Sequence, residues 1–180
     1  MALRNGPEEF GLVTRLLHWL TMALVLGMLV LGTRLKDMEP GLANLWLYGL
    51  HKTTGFSVLT LILLRILWHL ASPPPRPLGP PGPMMVLARA VHWAFYILLI
   101  AIPLAGWAGS SATGIDVMIA DRWVVPPLVE PSEEAEDFWF AVHGVLTKVL
   151  IGLILLHVAG AMARTMAGDG TVRRMIRGRA

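Results

Sequence analysis

The chain has 180 residues, of which 55% are hydrophobic and 15% charged, with a mean hydropathy of +0.62 and no cysteine. A soluble domain carries about 25% charged residues, so a surface facing water along most of the chain is excluded. The lack of cysteine excludes disulfides, thiolate metal sites, iron–sulfur clusters and thioether-linked prosthetic groups. The net charge of +3 and isoelectric point near 9.8 come from residues flanking apolar blocks, which excludes nucleic acid as a partner.

Four apolar blocks, each long enough for the ~20 residues that cross a bilayer core, are expected to be helices at about 12–32, 47–70, 84–108 and 138–163. Helix 1 enters through Gly11-Leu12-Val13-Thr14-Arg15 and carries His18-Trp19. Its length and its lack of a small-residue cleavage site mark it as a mature helix rather than a signal peptide. A short loop through Pro40-Gly41 leads to helix 2, which carries His51, Lys52, Arg65 and His69. Residues 72–83, with their many prolines, form an extended connector. Helix 3 carries His92 and, near its far end, Pro103. The longest loop holds the acidic run from Glu130 to Asp137, and helix 4 carries His143, Lys148 and His157.

The expected fold is one all-α domain, 1–180, an integral membrane four-helix bundle. Arg4, Arg15, Arg76, Arg89, Arg164, Arg173, Arg174, Arg177 and Arg179 gather at one side, so the positive-inside rule puts both termini and the 72–83 loop in the cytoplasm. The basic tail reads as a topology determinant beside anionic lipid, the expected surroundings of the whole chain. Tryptophans near the span ends read as an interfacial belt.

All six histidines fall within the expected spans, five of them away from a span end and His69 next to one, and ionisable residues there are costly and mark functional sites. His143 and His157 are 14 residues apart on helix 4, just under four turns and ~21 Å, on one face and towards opposite edges of the core. His51 matches His143 in depth, and both His18 and His92 match His157. Imidazoles facing each other at two depths suit two haem groups, each ligated from both sides for electron transfer. Spacing alone leaves His18 and His92 open as partner of His157, with a propionate or quinone contact as the other role for His92. In a rival arrangement helix 2 supplies the pair on one face, His51 and His69, 18 residues apart, although His69 lies shallow, at the interface. Arg65 reaches the depth of the cytoplasmic-side site and suits a haem carboxylate; Lys148 and Lys52 suit the outer one. Gly27, Gly55, Gly144 and Gly152 are candidates for close approach of a ring or a helix.

Thr14-Arg-Leu-Leu-His18-Trp19, Leu50-His51-Lys52-Thr-Thr-Gly55, Leu63-Leu64-Arg65, Arg89-Ala-Val-His92-Trp93, Pro103-Leu-Ala-Gly106-Trp107, His143-Gly-Val-Leu and Leu156-His157 together resemble the prokaryotic cytochrome b561 family, over nearly the whole chain. The family is related to the membrane cytochrome b subunits of hydrogenases and formate dehydrogenases. The resemblance implies two haem b per chain, with His18 and His157 on the cytoplasmic-side haem and His51 and His143 on the outer one. It also implies a bacterial inner-membrane protein exchanging electrons between an outer-face donor and membrane quinone. One family activity is oxidation of superoxide with reduction of ubiquinone, but the acidic loop here would repel that anion at long range. The alternative is an anchor subunit passing electrons for a separate periplasmic redox protein. A haem-free proton-relaying transporter is a third reading, and assembly with a second copy is compatible with all three.

Overall fold

The computed structural model describes residues 2–78 and 81–179, so Gly79 and Pro80 of the expected connector lie outside the described residues. Among the described residues the order is α1 (Leu12–Lys36), α2 (Leu45–Ala71), α3 (Pro83–Ala112), β1 (Val117–Ile119), β2 (Trp123–Val125), α4 (Glu133–Met166) and α5 (Thr171–Arg177). The first four helices are each long and apolar enough to cross a membrane. Their outward residues, such as Leu16, Leu20, Leu67 and Leu155, are exposed, as expected of faces solvated by lipid.

These helices outrun their apolar blocks. Arg34 and Lys36 continue α1 into a last turn where cations complement the helix dipole. The start of α4 is Glu133 rather than 138, because Glu133, Glu134 and Glu136 fill the first turn, where anions are favoured, and Ser132 Oγ accepts the Ala135 N–H at 3.3 Å. Charged flanks taken as loop are therefore helix.

The described residues form two compact units. One comprises Met1–Thr21, Leu61–Ile97 and Leu150–Ala180. Ile62, Val91, Leu150 and Thr14 are buried in it, and the Trp68 indole donates to Thr14 Oγ1 at 2.9 Å. Here the N-terminal segment, the residues after α2 and the C-terminal segment are knitted into a cap. Asn5 donates its backbone N–H to Ser72 Oγ (2.9 Å) and its side-chain amide to Ser72 O (2.8 Å), and accepts from the Gly11 N–H (2.8 Å). Phe10 N–H reaches Gly178 O at 2.8 Å, and Arg76 N–H reaches Pro7 O at 3.1 Å. Arg174, 3% exposed, donates to Arg76 O at 2.9 Å and lies over the Phe10 ring. From α1, Arg15 donates to Ile176 O (2.7 Å) and Trp19 to Met175 O (3.2 Å). Arg164 donates to Leu78 O and pairs with Asp169 at 2.6 Å. The tail expected only as a charged determinant of topology is thus a folded element.

The other unit comprises Met22–Thr60 and Leu98–Val149. Val25, Val58, Leu98, Leu99, Ala105, Ala108 and Ala112 are buried in it. Small residues on α3 let α4 come close, as is usual between membrane helices: a Cβ on Gly109 would lie 2.9 Å from Phe140. Within the long loop, β1 and β2 form an antiparallel hairpin with Val117 opposite Val125 and Ile119 opposite Trp123. Ala120 and Asp121 in its turn have φ of 53° and 51°. The hairpin is docked on α2: the Ala120 N–H donates to Thr53 Oγ1 at 2.8 Å, and a Cβ on Gly49 would lie 2.6 Å from Asp121 Oδ1.

Candidate functional site

The histidines of the spans gather in two places, one in each unit. In the unit holding Met22–Thr60, His51 of α2 faces His143 of α4, with ring centroids 6.2 Å apart and planes at 71°. His143 is oriented from behind by α3. Its Nδ1–H donates to the Ile102 carbonyl at 2.9 Å, beside Pro103, which supplies no N–H to the preceding turn. This bond fixes the tautomer that leaves Nε2 with its lone pair, as a metal-ligating imidazole requires. Two glycines give the rings their space. A Cβ on Gly106 would lie 3.0 Å from His143 Nδ1, and one on Gly32 would lie 3.2 Å from His51 Cε1. His51 Nδ1 is buried without a hydrogen-bond partner.

In the unit holding both termini, His18 of α1 faces His157 of α4, with centroids 6.4 Å apart and planes at 55°. The His92 ring stands edge-on to His157 at 5.4 Å, and Phe95 does the same at 5.3 Å. His92 is exposed on α3, and its Nδ1–H is spent on the Ala88 carbonyl at 2.6 Å. Arg65 of α2 donates to His18 Nδ1 at 3.3 Å, and its guanidinium lies 5.9 Å from the Tyr96 ring. Tyr96 is bonded in turn to His69 Nδ1 at 3.0 Å. His51 therefore faces His143, while His69 takes Tyr96.

Both facing pairs can be tested against an iron held between two imidazoles. Two metal–nitrogen bonds of ~2 Å, plus the distance from each nitrogen to its ring centre, require centroids about 6 Å apart. Separations of 6.2 and 6.4 Å fit, whereas His92 and His157 at 5.4 Å are in edge-to-face contact. The donor set, neutral imidazoles without thiolate, suits haem. Gly27, Gly144 and Gly152 have nothing within 4 Å of a would-be Cβ, whereas one on Gly55 would meet Met28 Cε at 3.7 Å.

Not every sequence candidate joins a cluster. Lys148 is exposed on α4 and has no hydrogen-bond or ion-pair partner among the described residues. Arg89 makes only a long contact with Met85 sulfur at 3.8 Å. Sequence reasoning missed the slots at Gly32 and Gly106, the Ile102 carbonyl and Tyr96. Gly106 carried a signal, lying three residues after an in-helix proline; Tyr96 carried none.

Comparison with known proteins identifies the family. The family profile described as prokaryotic cytochrome b561 matches residues 9–178. The chain is 32% identical to "Cytochrome b561 homolog 2" of Escherichia coli (strain K12), across 98% of this chain and 95% of the relative. It is 30% identical to "Probable superoxide oxidase CybB" of Yersinia pestis, across 89% of this chain and 91% of the relative. With four membrane-spanning helices and a match over almost its full length, the chain belongs to the prokaryotic cytochrome b561 family, whose haem b proteins transfer electrons in the bacterial inner membrane.

Proposed function

We propose that this protein holds two haem b groups, one between His18 and His157 and one between His51 and His143, and exchanges electrons between an outer-face donor and membrane quinone. The observation that carries this reading is the pair of facing imidazoles, repeated in both units at 6.2 and 6.4 Å. When bound, haem b supplies one-electron oxidation and reduction, without an open coordination position if two imidazoles hold it.

The roles of the residues follow from their chemistry. Helix α4 is the shared scaffold, contributing one imidazole to each pair. Ile102 O and Gly106 set the ring of His143. Arg65 presents a single cation to the His18 pair, suited to haem carboxylates. A guanidinium only donates, so His18 Nδ1 accepts here. Ligation through Nε2 would call for a proton on His18 Nδ1, and Arg65 would then be available to a haem carboxylate instead. His92, whose Nδ1–H is satisfied within its own helix, keeps an acceptor nitrogen beside His157 for a quinone hydroxyl or a haem propionate. Lys52, next to His51, and Lys148, exposed and without a partner among the described residues, are the cations available to a carboxylate of the outer haem.

The Yersinia pestis relative supports superoxide as the donor. Two superoxide ions give two dioxygen and two electrons, and one quinone takes these with two protons to become quinol. The alternative is an electron-passing anchor for a basic periplasmic redox protein, favoured by the exposed Glu133, Glu134 and Asp137 at the start of α4. Its mark would be electron uptake from a cytochrome c that is lost at high salt.

The test is haem quantification with reduced-minus-oxidised spectra on purified wild type, His143→Ala and His157→Ala. Two haems per chain, falling to about one in each variant, are expected from the shared role of α4. A colourless wild type would overturn the reading. An unchanged variant would move the ligands elsewhere.

A further inference from the structure

A cavity of about 290 Å³ opens at the start of α1, lined by Arg4, Glu9, Phe10, Arg15, Arg177 and Arg179. Among the described residues, the three exposed arginines there, Arg4, Arg177 and Arg179, face one carboxylate, that of Glu9. The cavity is built by the cap: Phe10 N–H to Gly178 O (2.8 Å) and Arg15 to Ile176 O (2.7 Å) hold the C-terminal turn against the N-terminal segment. Gly178 has φ +94°, and a Cβ on it would lie 3.1 Å from Phe10 O, so this close approach depends on glycine. Arg4, Arg177 and Arg179 are exposed and have no ion-pair partner among the described residues, and the Arg164–Asp169 pair lies outside the cavity.

Repulsion among clustered guanidinium groups costs stability unless an anion joins them. The position of the cavity says which anion. It lies where α1 becomes a membrane span at Leu12. Leu3, Leu16, Leu20 and Ile176, all exposed, lie around the same end of α1 and on α5, and the Leu3 carbonyl accepts from Val13 N–H. Charged rim and apolar flank together match a molecule with a phosphate head and acyl tails. A planar guanidinium also grips phosphate oxygens through two parallel bonds, which an ammonium cannot do.

We propose that this cavity is a binding site for the phosphate headgroup of an anionic membrane lipid, gripped by Arg4, Arg177 and Arg179, with its acyl chains lying along α1. Glu9 supplies an acceptor for a headgroup hydroxyl. The site is independent of the histidine pairs, and its occupancy ties the two terminal segments together through a shared anion.

The experiment compares the full-length protein in nanodiscs of phosphatidylcholine alone and with phosphatidylglycerol titrated in, with bound lipid counted by native mass spectrometry. One phosphatidylglycerol per chain is expected to be retained preferentially. Each arginine removed should weaken retention about fivefold, so Arg4→Gln/Arg177→Gln/Arg179→Gln should lose it about a hundredfold. The corresponding triple lysine variant keeps the charge and should still weaken retention clearly, because the two-pronged contacts are gone. Arg34→Gln/Lys36→Gln, at the other end of α1, should change nothing. Full retention in the lysine variant would overturn the proposal in favour of diffuse attraction. Displacement of the lipid by millimolar inorganic phosphate would overturn it in favour of a free-anion site. Equal losses in the Arg34/Lys36 variant would overturn it as well.

Discussion

At the scale of single residues, the placement of the histidines depends on neighbours without chemistry of their own. Gly106 has no Cβ where one would press on His143 at 3.0 Å. Gly106→Ala must therefore either displace the ring or break its bond to the Ile102 carbonyl. Haem retained by the His51–His143 pair is expected to fall severalfold, as when a residue orienting a ligand is lost, while the other pair keeps its share. Spectra resolved by redox titration would show this as loss of one component. Asp169 offers a test through pH. Burial pushes its carboxyl up, but the Thr171 N–H and hydroxyl together with Arg164 reverse this and hold it below 3.8. Its contribution is thus present above that value and lost as pH falls through the lowered one. Asp169→Asn should lower the thermal midpoint at neutral pH, and the gap to wild type should close in acid below about pH 4. The effect is small, under about 1 kcal/mol, because the pair is part-exposed.

At the scale of elements, the hairpin on α2 is held by one hydrogen bond to a side chain and a turn in an uncommon backbone conformation. Thr53→Val removes the acceptor for Ala120 N–H, at about 1 kcal/mol, and exchange of that amide with deuterium should quicken. Ala120→Gly relieves a left-handed φ costing about 1 kcal/mol in a residue with a side chain, and exchange in both strands should slow. Ala-Asp is not a recognised turn pair of the Asn-Gly kind, which is why the sequence did not announce the hairpin. The four long helices were legible because blocks of about twenty predominantly apolar residues have few other fates. Their ends were not, since Glu133–Asp137 reads as loop by polarity and becomes helix through end charges. Helix α5 was hidden for a different reason: its seven residues are too few to be helical alone and rely on contacts with Phe10, Arg76 and Trp19. Of the candidate site, the histidine positions could be read from depth along the helices. The glycine slots and the Arg65–Tyr96–His69 contacts needed coordinates, because they depend on which faces of different helices meet.

At the scale of the molecule, an even number of spans and the arginines around the cap together predict that both ends of the described chain lie in the cytoplasm. A fluorescent protein fused to the C-terminus should therefore mature in the cytoplasm, whereas alkaline phosphatase fused there should stay inactive. The reverse pair of results would invert the proposed direction of electron flow, with the His51–His143 pair then nearest the cytoplasm. The acidic start of α4 would face the periplasm in the proposed orientation.

The cap also has a place in time. Ribosomal synthesis delivers Trp19 156 residues ahead of the Met175 carbonyl that accepts its indole N–H. The turn of α1 that presents His18 is therefore clasped only after every span has been made and inserted. A chain stalled after α4 would expose the imidazoles but lack the clasp, so closure of the cap dates the maturity of the site. Biogenesis and structure meet in a late step, in which the segment after α4 settles on the start of α1.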